Sequence, residues 1–138
     1  MKFLLGIVLA AALVHLAPAV AQAPKKAVAS PAVQKEFENF IGKFRVALKA
    51  NDSAAVADMT RLPYMNDSAI GDAAQFREKV YKRDFTAKNR ACIQHGKAVY
   101  DRDGDNNDSF SIFCPKDYIF VFTRTPAGFL FTDVAVND

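Results

Sequence analysis

The side chains able to do chemistry in this chain are few, and the two cysteines are the most informative of them. Cys92 and Cys114 stand too far apart for a CxxC redox pair. A zinc site would need more ligands than two thiolates with His15 and His95 beside them. In an oxidising compartment such a pair closes into a disulfide. A bridge over a loop of this length stabilises a small domain by about 3 kcal/mol in the chain-entropy account. His95 is the one histidine beyond residues 1–21, and the one such side chain whose ordinary pKa lies near neutrality. Beside Gly96 at the start of a strand it reads as a partly exposed residue; as an acid or base it would have to point into a cavity. Tyr64, Tyr81, Tyr100, Arg124 and Asp133 are the remaining polar groups that can reach an interior. Arg124 and Asp133 flank one hairpin turn at unequal offsets, so they pair across it only in a skewed register, and otherwise as a surface ion pair of little weight.

The acidic run Asp101 to Asp108 opens like a calcium loop, with carboxylates at alternate positions. The rest of the pattern fails, because the sixth position is Asn106 and the twelfth is Ile112, where a calcium loop places Gly and Glu. Asp, Asn and Gly are equally what a hairpin loop needs for its backbone, so no metal is assigned. No motif implies a cofactor. A net charge of +3 is spread among interleaved acids and bases, which leaves no nucleic-acid footprint.

These residues are carried by 138 residues with 51% hydrophobic content and 12 Phe, enough for one compact core. Met1-Lys2, an apolar run from Phe3 to Leu16, and Ala19-Val20-Ala21 have the order of a cleavable signal peptide over residues 1–21. Cleavage after Ala21 is preferred to cleavage after Ala23, which would leave Pro24 at the new terminus. The apolar run is short for a span, and no stable membrane insertion is expected after cleavage. The expected destination is a bacterial periplasm or the cell exterior. Residues 22–30 are small, polar and aperiodic, and read as a flexible leader; residues 31–138 form the single domain.

Ser30-Pro31 has the form of an N-cap and first helical residue. A helix is predicted to about Ala50, with Phe37, Phe40, Ile41, Phe44 and Leu48 on one face. Asp52 caps a short helix from Ser53 to about Thr60, which Pro63 stops. Leu62 to Met65 reads as a short extended piece and Asn66-Asp67-Ser68 as a turn. Asp72 to Gln75 has a capping-box arrangement opening a third helix, whose Phe76, Val80 and Tyr81 face inward. Thr86 caps a fourth, from Ala87 to about Ala91, which delivers Cys92. The period then changes to two, predicting strands over Ile93 to Arg102, Ser109 to Cys114, Tyr118 to Arg124 and Phe129 to Val136. On the third strand Tyr118, Phe120, Phe122 and Arg124 share one face, and Ile119, Val121 and Thr123 the other. Both faces are largely apolar, and the helices suffice to cover one.

Three helices followed by a curved antiparallel meander resemble the NTF2-like (cystatin-like, SnoaL-like) superfamily. The segment FIGKFRVALKANDSAAVADMTRLPY looks like the opening of its exported members, and FVFTRTPAGFLFTDVAVND like their last hairpin. The resemblance covers residues 32–138 and implies an α+β cone, N-terminal helices packed on a curved β-meander. It is specific for fold and not for activity, since the superfamily holds enzymes and non-catalytic binding domains alike. The expected candidate pocket is bounded by Phe37, Phe40, Phe44, Tyr64, Tyr81, His95, Tyr100, Arg124 and Asp133, and suits a small apolar ligand. The leading expectation is a non-catalytic domain that forms a homodimer through its sheet. The alternatives are a SnoaL-like enzyme using His95 and a module that binds a cell-envelope partner.

Overall fold

The computed structural model describes residue 23 and residues 25–136; the expected signal peptide lies outside the described residues. Residues 25–30 have no regular structure. Helix α1 spans Pro31–Lys49, and the Ser30 hydroxyl accepts the Val33 amide hydrogen at 3.3 Å. Its buried residues Val33, Phe37, Ile41, Phe44 and Leu48 repeat every three or four positions, so one stripe faces the core. Helix α2 spans Ser53–Asp58 and is capped by Asp52, whose carboxylate accepts the Ala55 amide hydrogen at 3.0 Å.

The piece Leu62 to Met65 is not extended: a tight helical turn occupies Tyr64–Asn66, with Met65 and Asn66 at φ 52° and 59°. The turn lets Tyr64 bury its ring against Phe76 and Phe131, at centroid distances of 5.6 and 5.9 Å. A second turn, Ser68–Ile70, leads to α3, Ala73–Phe76, where Asp72 accepts the Gln75 amide hydrogen at 2.8 Å. The run continues through a π-helical turn, Arg77–Tyr81, into α4, Lys82–Asp84. The wider turn sets Phe76 and Tyr81, five residues apart, on the same buried side.

Helix α5 spans Ala87–His95, four residues beyond its predicted end, with Thr86 as its cap. Ile93 begins no strand. It is a fully buried helical residue, and the Arg45 side chain donates to the carbonyls of Ile93 and Gly96 at 2.9 and 2.7 Å, satisfying the end of the helix. Gly96 is required by proximity: a Cβ there would stand 2.5 Å from Ile112 Cγ2 and 2.8 Å from the Cys92 carbonyl oxygen.

The sheet is an antiparallel meander of order β1-β2-β3-β4: β1 Ala98–Arg102, β2 Asp108–Phe113, β3 Tyr118–Thr125 and β4 Gly128–Val136. The chain is therefore α+β, helices first and a four-stranded open sheet after. In the β1–β2 loop the Asp103 carboxylate accepts the amide hydrogens of Asp105 and Asn107 at 3.0 and 2.8 Å and the Asn107 side-chain amide at 3.0 Å. That hydrogen bonding accounts for the loop's shape without a metal. Between β3 and β4 the register slips by one residue. Phe122 faces Phe131 and Val121 faces Asp133, so Thr132 is the extra residue of a bulge. The disulfide is present, joining Cys92 of α5 to Cys114 just past β2 with Cα atoms 5.9 Å apart.

One face of the sheet closes against the helices. Phe37 stacks on Phe110 at 3.9 Å, Phe44 meets Phe122 edge-on at 5.1 Å, and Phe85 meets Phe120 and Phe131 at 5.3 and 5.2 Å. Phe129 adds an edge contact to Phe37 at 5.3 Å. Aromatic rings thus occupy the space between α1 and the inner sheet face, each pair contributing about 0.5–1.5 kcal/mol beyond the area it buries.

Candidate functional site

The nine candidate pocket residues do not surround one cavity. Phe37 and Phe44 are buried and Phe40 partly so, all three in contact with rings of the sheet. Tyr81 is buried, stacks on Phe85 at 5.1 Å and donates its hydroxyl to the Asn51 side-chain oxygen at 2.9 Å. His95 is exposed at the last position of α5, where its ring does not enter the core. The acid or base role required it to point inward, so the geometry does not support that reading.

Two small groupings do form. At one end of the sheet the Tyr100 hydroxyl donates to Asp108 Oδ1 at 2.8 Å, and Arg124 lies 3.6 Å from Asp108 Oδ2 and 2.8 Å from Glu36 Oε2. Here Arg124 faces Phe129 across the hairpin and its carboxylate partner is Glu36 on α1, which replaces the expected surface pairing with Asp133. The cleft beside it has a volume of about 460 Å³ and is lined by Glu36, Asn107, Asp108, Arg124 and Thr125 among others. Its charges are partly exposed and already paired, which makes it an ordinary surface network. At the other end the hydroxyl of Tyr64 reaches β4 next to Asp133. The Tyr64 hydroxyl oxygen accepts the Val134 amide hydrogen at 2.9 Å. Asp133 Oδ1 is buried with no hydrogen-bond partner. Burial, and then the charge of Asp133, pushes the Tyr64 phenol up. Burial likewise pushes the Asp133 carboxyl up, opposed by the Val134 amide and by Arg61.

The outer face of the sheet has a different character. The register sets Phe113, Ile119 and Ala135 in one row, Val99, Ser111, Val121 and Asp133 in the next, and Asp101, Ser109, Thr123 and Leu130 in a third. None of the apolar members of these rows belongs to the core cluster or packs against it. Phe113 is 58% exposed and Val99 37%. In the third row and at the adjacent bulge stand hydroxyls that the sheet itself satisfies. Ser109 donates to the Phe122 carbonyl at 3.3 Å, Thr132 to the Val121 carbonyl at 3.3 Å, and Thr123 and Thr132 share a bond of 3.0 Å. A face with apolar rows and internally satisfied hydroxyls can lose its water without stranding those hydroxyls.

No family model, curated protein or solved structure matches this chain. Among the described residues no helix is long and apolar enough to cross a membrane, and no group of three or more His, Cys, Asp or Glu is placed to hold a metal ion. Sequence reasoning missed Glu36, which meets Arg124 across 88 residues, and Arg61, whose charge bears on Asp133. It also missed Phe113, whose place was legible, since Ser109, Ser111 and Phe113 alternate with the buried Phe110 and Ile112.

Proposed function

We propose that this chain is an exported, non-catalytic domain of the NTF2-like (cystatin-like, SnoaL-like) kind that pairs with a second copy through the outer face of its sheet. The observation that carries the reading is the exposed Phe113, standing in a row with Ile119 and Ala135 outside the core. A large aromatic side chain set in an apolar patch is costly to leave in water and is characteristic of a contact surface. A second copy is the simplest occupant, because a twofold axis makes a face complementary to itself. The helices-then-meander order supports the superfamily assignment, and the disulfide supports export to an oxidising compartment such as the periplasm.

The reading contains no catalytic step. His95, the candidate acid or base, is exposed at the end of α5, and the interior that an apolar ligand would have entered is taken up by Phe37, Phe44, Phe110, Phe122 and Phe131. Sedimentation velocity on the purified mature protein tests the proposal. The expected result is a dimer that Phe113→Ser converts to monomer while leaving the unfolding midpoint of the monomer in place. A wild-type protein that stays monomeric up to several hundred micromolar would overturn it, and capture of a specific cell-envelope protein by the same face would then replace the second copy.

A further inference from the structure

β1 lies at the open margin of the sheet. It pairs with β2 in an unbroken antiparallel register and, among the described residues, has no other strand beside it. Its sequence, Ala98-Val99-Tyr100-Asp101-Arg102, holds no proline, and no bulge turns the strand aside. Such a margin presents main-chain donors and acceptors at the spacing of an extended polypeptide, about 3.4 Å per residue.

A groove of about 570 Å³ runs along this margin. Pairing with Ile112 and Phe110 sets Ala98 and Tyr100 on the inner face, and pairing with Ser111 sets Val99 on the outer one. A hollow that touches all three therefore follows the strand's edge, not either face. The far wall is residues 26–29 with Pro31 and Gln34 of α1. Residues 25–29 make no backbone hydrogen bond to β1, so the edge they flank stays unpaired on that side. Val28, Ala29, Ala98 and Val99 make the lining largely apolar, and the Tyr100 hydroxyl is committed to Asp108. The charges that remain are those of Lys26 and Lys97. No carboxylate lines the groove, and among the described residues neither lysine has an acidic partner within salt-bridge distance.

We propose that β1 captures an extended acidic peptide segment of a partner protein, which joins the sheet as a fifth strand. Main-chain hydrogen bonds to β1 hold the segment, its small apolar side chains rest on Val28, Ala29 and Val99, and its carboxylates meet Lys26 and Lys97. The free edge accounts for an extended chain as occupant, and the two lysines without acids account for its charge.

Fluorescence anisotropy on the purified mature protein at low salt tests the proposal, with a labelled peptide of three central valines flanked by glutamates. Saturable binding is expected, weakened several-fold by Lys26→Glu combined with Lys97→Glu and restored in that variant when the flanking glutamates are exchanged for lysines. N-methylation of the central valines removes their donors while keeping the charge, and should abolish binding. Amide exchange in the complex should show added protection in β1 and none at Phe113. Phe113→Ser is expected to bind the peptide as wild type does, so this proposal and pairing through the outer face fail separately. The proposal is overturned if wild type shows no saturable binding up to millimolar peptide, or if the N-methylated or lysine-flanked peptide binds it equally well. Loss of binding in Phe113→Ser would place the peptide on the outer face and also overturn it. Protection of β1 that rises with protein concentration in the absence of peptide would assign the edge to a second copy, with the same consequence.

Discussion

The two faces of the sheet are built from the same strands and one-residue alternation, yet they face opposite fates. On the inner face Phe110, Phe120, Phe122, Phe129 and Phe131 meet rings from α1, α3 and the residue after α4, and all five are buried. On the outer face apolar residues share the surface with hydroxyls that bond within the sheet, and Phe113 is left in water. The inner face is therefore committed to folding the chain. The outer face takes no part in that ring cluster and leaves apolar area accessible, the surface through which we propose that the chain pairs.

This contrast breaks most sharply at the centre of the ring cluster. Phe44→Ala removes a fully buried ring that touches Phe40, Phe85, Phe122 and Phe131, and is expected to cost about 3–5 kcal/mol in denaturant unfolding. Phe113→Ser, by contrast, should move monomer stability by about 0.5 kcal/mol or less while abolishing self-association. A Phe113→Ser protein that unfolds as readily as Phe44→Ala would erase the distinction. Reduction of the disulfide comes next, with an expected loss of about 3 kcal/mol in the same measurement, since it closes a 22-residue separation. Gly96→Ala sharpens the inner side further. The new methyl meets Ile112 and a backbone carbonyl, so a loss of about 1–3 kcal/mol is expected.

The smallest effect concerns the one carboxylate of the outer face that the fold partly buries. The folded state raises the Asp133 pKa, so the stability tied to its neutral form is fully present below the unfolded value, near about 4, and is lost as pH rises through the higher folded value. Asp133→Asn should accordingly raise the melting temperature at pH 7, with the gain shrinking toward pH 4. A gain that is constant across this range would point to an effect unrelated to ionisation.

Where a feature rests on neighbours in the chain, the residues announce it. Ser30, Asp52, Asp72 and Thr86 each accept the amide hydrogen three residues on, as their types predict. The period-two run produces four strands in the expected order, and the cysteine pair is joined. Where a feature depends on distant contacts, local text misleads. Ile93 reads equally as a strand residue or a helical one, and the choice falls to Arg45, 48 residues away, whose guanidinium completes the end of α5. The π-helical turn and the Thr132 bulge each shift a pattern by one residue, and nothing in composition marks either. That single-residue slip is why Asp133 faces Val121, while Arg124 meets Glu36.

The stretch that follows α2 also limits how the sheet can grow. Met59 and Arg61 exchange backbone hydrogen bonds with Phe131 at 2.8 and 2.9 Å, and Tyr64 takes the Val134 amide, so the free side of β4 is already occupied at its middle. The opposite margin, β1, carries no such guard among the described residues. A sheet blocked on one side alone can be lengthened through the other by a single copy and no further. Edge-to-edge addition then ends at two chains, and the same residues that seat Tyr64 stand against fibre formation.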